Sequence, residues 1–169
     1  MRNVLWTDKE AAMAMNGKLV GGAWRAAGVS IDSRHAEPGD IFFAFPGNRV
    51  DGHAFVADAF SKGAVAAVVE RDVNGLSGNP SLVIVENVME ALTGLANAAR
   101  RRSRAKFIAI TGSVGKTSTK NSLAAGLEEF NKVHSTVGNL NNHIGVPLSL
   151  ARLHPSARFA VFELGMNRS

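Results

Sequence analysis

The sequence predicts an α/β protein with a largely parallel sheet. A small N-terminal α/β domain is followed by the start of a second, Rossmann-like parallel-sheet domain. Short apolar runs alternate with helix-compatible stretches along the 169 residues, which is typical of parallel sheets. A glycine-containing loop at residues 111–118 separates an apolar run from a helix-compatible stretch. Hydrophobic residues make up 46% of the chain, an ordinary share for a folded domain.

In the first part of the chain, cap and turn residues separate the predicted elements. Thr7-Asp8-Lys9-Glu10 has the capping-box pattern, so a helix is predicted from Asp8 to about Met15. Turns are predicted at Pro38-Gly39-Asp40, Asn74-Gly75 and Gly78-Asn79-Pro80. The apolar runs predict strands at residues 29–31, 41–45, 64–69 and 82–85. Helices are predicted at about residues 53–62 and 88–102.

The second part repeats the alternation. Strands are predicted at residues 107–110, 133–136 and 158–164, and helices at 120–130 and 146–153. Composition shifts near Glu86, so we place the domains at residues 1–86 and 87–169. The second domain has few elements, which predicts open sheet edges and a thin core. We therefore expect the chain to be the front of a longer protein.

Composition excludes several classes of function. The chain has no cysteine, which excludes disulfides, thiol nucleophiles and zinc–thiolate sites. The sequence shows neither a signal peptide nor a membrane-length apolar run, and we expect a cytoplasmic protein without membrane insertion. The five histidines lack metal-ligand spacing. Part of the net charge of +5 is one basic cluster, formed by Arg100, Arg101, Arg102, Arg104 and Lys106. Without interleaved aromatics, this cluster fits a solvated helix end better than a nucleic-acid surface, so no nucleic-acid partner is expected.

The loop at residues 111–118, Thr-Gly-Ser-Val-Gly-Lys-Thr-Ser, has the layout of a phosphate-binding P-loop. Glycines let the backbone N–H groups turn toward an anion, and the following helix N-terminus adds partial positive charge. Lys116 is predicted to reach the β- and γ-phosphates, and the Thr117 hydroxyl to bind Mg²⁺. Ile110 stands where the general pattern has its first glycine. The alternative is a structural turn, which the strand–loop–helix context disfavours.

Three further groups of polar residues are candidate site residues. Glu163 ends the apolar run Phe159-Ala160-Val161-Phe162, which predicts a Mg²⁺ ligand beside the P-loop. Its alternative is a strand-end carboxylate facing water. The loop from Asn139 to Asn142 presents three amides, suited either to ligand recognition or to a turn. Asp32-Ser33-Arg34 fits a diphosphate clamp, although a turn with a surface arginine is the commoner outcome of this motif.

Taken together and in order, these motifs resemble those of the Mur ligases. The resemblance covers nearly the whole chain. Its C-terminal part consists of the loop at 111–118, the segment Gly138-Asn139-Leu140-Asn141-Asn142-His143-Ile144-Gly145-Val146-Pro147-Leu148, and Phe162-Glu163-Leu164-Gly165-Met166-Asn167. Its N-terminal part consists of Asp32-Ser33-Arg34, Pro38-Gly39-Asp40-Ile41-Phe42, Asp51-Gly52-His53 and Gly63-Ala64. Family P-loops also lack the first glycine.

The resemblance implies an ATP-dependent amide ligase of peptidoglycan precursor synthesis, with ATP and Mg²⁺ as cofactors. Residues 1–86 would bind the uridine diphosphate of the substrate, and 87–169 would begin the ATP-binding domain. The implied catalytic residue is Lys116. The implied ATP-binding residues are Gly112, Ser113, Val114, Gly115, Lys116, Thr117, Ser118 and Asn139. The implied metal ligands are Thr117 and Glu163, and the implied contacts to the uridine-nucleotide substrate are Ser33, Arg34, Asn141 and Asn142.

Within the family, the Asn-rich loop and the Glu-Leu-Gly-Met-Asn segment look most like the members that join D-alanyl-D-alanine to UDP-N-acetylmuramoyl-tripeptide. A sister ligase that adds a single amino acid is the alternative, as is a P-loop NTP-binding module of another class. Family members continue with an adenine-reading segment, a modified lysine and a C-terminal domain. We therefore expect this chain alone to be inactive, and the longer protein to be a monomer.

Overall fold

The computed structural model describes residues 3–47, 50–73, 76, 80–138 and 140–165. The chain divides into two compact units, Met1–Leu95 and Ala96–Ser169. This division falls within a long helix, while the domain boundary predicted after residue 86 stays a prediction. The turns predicted at Asn74-Gly75 and Gly78-Asn79 lie outside the described residues.

The first unit is built on a five-stranded mixed sheet in the order β2-β7-β6-β5-β4. Strands β4 to β7 are mutually parallel, and β2 joins β7 in antiparallel orientation. A separate antiparallel pair joins β1 to β3. The bounds are β1 Trp6–Thr7, β2 Lys18–Val20, β3 Arg25–Ala26, β4 Gly28–Ser30, β5 Asp40–Phe43, β6 Ala66–Val69 and β7 Leu82–Ile84.

The central strands β5 and β6 are buried on both faces, as expected for parallel strands covered by other elements. Their residues contribute much of the core of this unit. The helical segments are α1 Asp8–Met15, a 3₁₀ turn Ser33–His35, a 3₁₀ turn Gly52–Phe55, α2 Val56–Ser61 and α3 Val88–Arg102.

Helix α1 begins where the capping box predicts. The Thr7 hydroxyl accepts from the Glu10 N–H at 3.4 Å, and the Glu10 carboxylate accepts from the Thr7 N–H at 3.1 Å. The helix ends at Asn16, whose φ of 50° is left-handed. The contacts that begin the helix and those that end it each join residues within one helical turn. Because these contacts are local, the sequence pattern is enough to predict both ends of the helix.

The second unit holds a three-stranded parallel sheet in the order β8-β10-β9. Its strands are β8 Lys106–Ile110, β9 Val133–Ser135 and β10 Phe159–Glu163, and its helices are α4 Lys116–Glu128 and α5 Gly145–Ala151. Strand β10 is paired on both sides, so β8 and β9 are the edge strands of this sheet. Ala109, in the middle of β8, is exposed. The predicted α/β class with a parallel sheet is confirmed.

Two sequence-based expectations about these elements are corrected. Helix α4 begins at Lys116 and not at residue 120, because the left-handed Gly115 turns the chain directly into the helix. The predicted helix at 53–62 is a 3₁₀ turn followed by the six-residue α2. The short strands β1, β2 and β3 have no counterpart among the predicted elements. Within the described part of the chain, no helix combines the length and apolar character needed to cross a bilayer.

Candidate functional site

The backbone of the loop at residues 111–115 requires its two glycines. Gly112 has a φ of +145° and Gly115 a φ of +78°, values that residues with a Cβ rarely adopt. Space is not the reason, since a Cβ at Gly115 would meet nothing within 4 Å. Among the described residues no side chain caps α4 at Gly115, so its first backbone N–H groups are available to a bound anion.

The parallel pairing of β8 with β10 brings Glu163 to this loop. Glu163 lies opposite Ile110, the last residue of β8, so both strands end at the same edge of the sheet. The loop starts directly after Ile110. Strand register therefore explains how a carboxylate more than forty residues downstream comes to face the phosphate loop, as the sequence predicts.

Both oxygens of the Glu163 carboxylate accept hydrogen bonds. The Thr117 hydroxyl donates to Oε2 at 2.9 Å, and the Asn141 amide donates to Oε1 at 2.8 Å. Glu163 is only 2% exposed. The hydrogen bond from Asn141 lowers the pKa of Glu163, helped by Thr117 and nearby lysines, while burial acts in the opposite direction. The carboxylate is therefore held ionised, the form that binds a cation.

A cavity of about 460 Å³ lies over the loop. Its lining residues are Ser113, Val114, Gly115, Lys116, Thr117, Ser118, Asn141 and Glu163. The Lys116 ammonium donates to the Gly112 carbonyl at 2.5 Å, so it folds back over the loop. The structure thus brings the predicted catalytic lysine, the loop residues and both predicted metal ligands into one cavity.

The donor set fits Mg²⁺ bound together with phosphate. Thr117 and Glu163 converge on one point, and Mg²⁺ prefers one or two carboxylates combined with phosphate oxygens and water. The described residues contain no cluster of three or more His, Cys, Asp or Glu that could hold a metal without such help. One carboxylate and one hydroxyl suit a metal whose remaining ligands are phosphate oxygens and water.

Lys120 is a polar residue of this region that sequence reasoning missed. It is 2% exposed, and its ammonium lies 3.9 Å from Glu163 Oε2 and 2.7 Å from the Thr136 carbonyl. The available signal was its spacing, because position i+4 from Lys116 lies on the same face of a helix.

A second cavity, of about 610 Å³, lies in the first unit. It is lined by Ile31, Asp32, Ser33, Arg34, Phe42, Phe45, Val50, Gly52 and Phe55. The walls are largely apolar and aromatic, and the polar residues 32–34 lie together in one turn. This is the usual make-up of a small-molecule site.

Asp32 organises the turn that carries Ser33 and Arg34. Its carboxylate accepts from the Arg34 backbone N–H at 3.0 Å and from the Arg34 guanidinium at 2.9 and 2.7 Å. The paired guanidinium is the main cause that lowers the Asp32 pKa. Ser33 is buried, and its carbonyl accepts from the Lys62 ammonium at 2.9 Å. The structure therefore contains the Asx turn, and Arg34 is an exposed arginine at the cavity.

Asp51 and His53 flank Gly52, one of the residues that line this cavity. The Asp51 carboxylate accepts from the His53 N–H at 3.0 Å and pairs with the His53 ring at 2.7 Å. These bonds lower the pKa of Asp51 to about 2. His53 Nε2 accepts from the Glu70 N–H at 3.0 Å, so Nδ1 carries the proton toward Asp51. His53 is therefore a structural residue, as its lack of metal-ligand spacing suggests.

The amide loop divides into different roles. Asn141 lines the phosphate cavity, whereas Asn142 Oδ1 accepts from the N–H groups of Ile144 and Gly145 at the start of α5. These two bonds occupy the Asn142 side-chain oxygen in the turn that leads into α5. Asn139 lies outside the described residues. The predicted ligand contacts of Asn139, Asn141 and Asn142 stay predictions.

The loop between strand and helix, its left-handed glycines, and the Lys-Thr pair beside a strand-end carboxylate define the class of P-loop nucleotide-binding proteins. Comparison with known families is more specific. Residues 25–111 match the Mur ligase family catalytic domain, and residues 110–169 match the Mur ligase middle domain. The chain belongs to the Mur ligase family.

Individual relatives agree with this assignment. The chain is 40% identical over 164 residues to the UDP-N-acetylmuramoyl-tripeptide–D-alanyl-D-alanine ligase of Rickettsia prowazekii, covering 97% of this chain and 36% of that protein. Among solved structures, MurF of Acinetobacter baumannii matches with a TM-score of 0.82 and 36% identity, over 97% of this chain and 36% of the other. MurF of Thermotoga maritima in complex with ADP matches with a TM-score of 0.65 and 31% identity, over 83% and 32%. The chain thus spans about a third of the length of these relatives.

Proposed function

We propose that this chain serves an ATP-dependent ligase reaction, in which D-alanyl-D-alanine is joined to UDP-N-acetylmuramoyl-tripeptide. The observation that carries the proposal is the convergence of Lys116, Thr117 and Glu163 on one cavity at the phosphate loop. The names of the similar proteins support the choice of substrates, and the ADP complex of the Thermotoga protein supports the choice of nucleotide.

The second unit would hold the phosphates of ATP. Backbone N–H groups of residues 112–118 would surround them, and Lys116 would leave the Gly112 carbonyl for the phosphate oxygens. Thr117 and Glu163 would hold Mg²⁺, which supplies positive charge to the transferred phosphoryl group.

The chemistry proposed is acyl transfer by way of an acyl phosphate. The carboxylate of the peptide attacks the γ-phosphorus, the bond to the bridging oxygen breaks, and ADP leaves. The amine of D-alanyl-D-alanine then attacks the acyl carbon, and phosphate leaves as the amide forms. Negative charge on the transferred group is what Lys116 is placed to stabilise.

The first unit would hold the uridine diphosphate. Aromatic and aliphatic walls such as Phe42 and Phe45 suit a pyrimidine ring, and the exposed Arg34 suits a diphosphate. Its guanidinium is already paired with Asp32, so binding would require it to share or change partners. We place the protein in the cytoplasm, where these nucleotide substrates are expected, and propose that it acts as a monomer.

Titration calorimetry of the chain with ATP and Mg²⁺ tests the nucleotide site. Lys116→Met is expected to weaken binding about tenfold, a change equivalent to the loss of one charge-assisted hydrogen bond. Lys106→Met is the matched control, because Lys106 is an exposed lysine of the same unit outside the cavity. Equal losses in both variants, or no binding by the unaltered chain, would refute the proposal.

A further inference from the structure

Lys120 is a buried cation whose position no part of the proposed reaction explains. It lies one turn after Lys116 on the inner side of α4, and it is 2% exposed. Burying an ammonium without acceptors is strongly unfavourable, so its surroundings must supply them.

Three oxygens surround the ammonium of Lys120. The Thr136 carbonyl accepts at 2.7 Å, the Gly138 carbonyl lies at 3.4 Å, and Glu163 Oε2 lies at 3.9 Å. Two of these contacts are hydrogen bonds, and the third is an ion pair beyond hydrogen-bond distance. Lys120 is therefore fixed in place and is not a mobile surface charge.

These acceptors belong to different elements at one edge of the sheet. Thr136 and Gly138 follow β9, and Glu163 ends β10. Thr136 adds two bonds of its own: its hydroxyl accepts from the Glu163 N–H at 3.3 Å, and its N–H donates to the Val161 carbonyl at 3.0 Å. Through Lys120, helix α4 is thus tied both to the carboxylate and to the segment that leads into the amide loop.

We propose that Lys120 is a positioning residue, which holds Glu163 and the segment 136–138 so that Thr117 and Asn141 reach the two carboxylate oxygens. In this geometry the metal ligands are in place before a nucleotide binds. The inference rests on the proposed function in one respect, namely that Mg²⁺ binds at Thr117 and Glu163 together with ATP.

The consequence concerns the metal more than the phosphates. The hydrogen bonds and the ion pair of Lys120 go to Thr136, Gly138 and Glu163, none of which belongs to the loop at 111–118. Loss of Lys120 should therefore leave ATP binding without metal nearly unchanged. It should reduce the gain in affinity that Mg²⁺ provides.

The experiment measures ATP affinity by calorimetry with Mg²⁺ and again with EDTA, for the unaltered chain and for Lys120→Met. The ratio of the two affinities is expected to fall about fivefold or more in the variant, while the affinity in EDTA changes less than about twofold. Ser149→Ala is the matched control, because it removes another buried polar group from this unit, where Ser149 pairs with His134 at 3.2 Å. It should keep the full Mg²⁺ effect even if its melting temperature falls.

The outcomes separate the two proposals. If the unaltered chain does not bind ATP, the proposed function fails and this inference fails with it. If the unaltered chain binds ATP, two results for Lys120→Met overturn only the positioning role. One is an unchanged Mg²⁺ effect, and the other is an equal loss of ATP affinity with Mg²⁺ and with EDTA. Should melting show that Lys120→Met is unfolded, Lys120→Gln decides by the same ratio, because it keeps a donor for the Thr136 carbonyl without the charge.

Discussion

Gly52 is the residue whose replacement tests the first unit most sharply. It begins the 3₁₀ turn Gly52–Phe55, lines the 610 Å³ cavity, and donates its N–H to the Phe45 carbonyl at 2.8 Å. A Cβ at this position would lie 2.7 Å from both Phe45 N and Phe45 O, and 2.9 Å from the Ala44 carbonyl carbon. All three atoms belong to the backbone, so the close contacts cannot be relieved by the movement of a side chain.

The expected effect of Gly52→Ala is large for a single methyl group. The three contacts lie well inside the 3.4 Å at which ordinary van der Waals contact begins, and Ala44 is fully buried. Overpacking of this kind lowers the free energy of unfolding by about 1–3 kcal/mol. Because the neighbouring atoms are backbone, we expect Gly52→Ala to cost about 3 kcal/mol. For a domain of this size, a loss of about 1 kcal/mol lowers the melting temperature by about 4–8 °C, so the melting temperature should fall by about 12 °C or more.

The matched control is Gly22→Ala. A Cβ there would meet nothing within 4 Å, and its φ is not left-handed. The alanine should therefore be neutral or should stabilise by about 0.4–1 kcal/mol, through the lower entropy of the unfolded chain. Both tryptophans, Trp6 and Trp24, lie in this unit and are buried, so thermal unfolding followed by their fluorescence reports on it. Equal melting temperatures for the two variants would refute the steric reasoning.

Three further predictions concern other parts of the chain. Burial lowers the pKa of His134 in the folded chain to about 4. Between pH 4 and 6.5 the unfolded state therefore binds more protons than the folded state. As the pH drops through that range, the free energy of unfolding should fall by about 3 kcal/mol. Amide hydrogen exchange in β9 and β10 should show this loss in the unaltered chain and not in His134→Gln. Arg34→Ala should weaken binding of a UDP-sugar peptide about tenfold by calorimetry, whereas the exposed Arg25→Ala should not. Thr7→Ala should lower the unfolding free energy by about 1 kcal/mol in urea, since it breaks the capping box of α1, and an unchanged midpoint would contradict that role.

The features that the sequence predicts well are those set by neighbouring residues. The capping box at Thr7 and Glu10 is local, and so is the succession of strand, glycine loop and helix around Lys116. Glu163 is also predictable, because an acidic residue at the end of an apolar strand reaches the same edge as the loop once the sheet is parallel.

The features that escape prediction depend on contacts between distant segments. In the sequence, Lys120 has the pattern of an ordinary surface lysine of a helix. The pairing of β9 with β10 brings the Thr136 carbonyl and the Glu163 carboxylate to it. Strand β2 has only three residues, all of them exposed, and is too short to show a periodic pattern, so its antiparallel pairing with β7 could not be predicted from the sequence. The role of Asn142 as an acceptor in the turn before α5 likewise cannot be told from the sequence, because Asn142 stands in a run of similar amides.

The two units are proposed to carry two different nucleotide sites. Chemical-shift mapping of the isotope-labelled chain tests this directly, with UDP-N-acetylmuramoyl-tripeptide and ATP–Mg²⁺ added in turn. We expect UDP-N-acetylmuramoyl-tripeptide to shift the amides of residues 31–34, 42–45 and 52–55, which lie at the cavity of the first unit. We expect ATP–Mg²⁺ to shift the amides of residues 112–118, Asn141 and Glu163. An ATP–Mg²⁺ response that leaves residues 112–118 unchanged, or a UDP-N-acetylmuramoyl-tripeptide response that leaves residues 31–34 unchanged, would contradict this assignment.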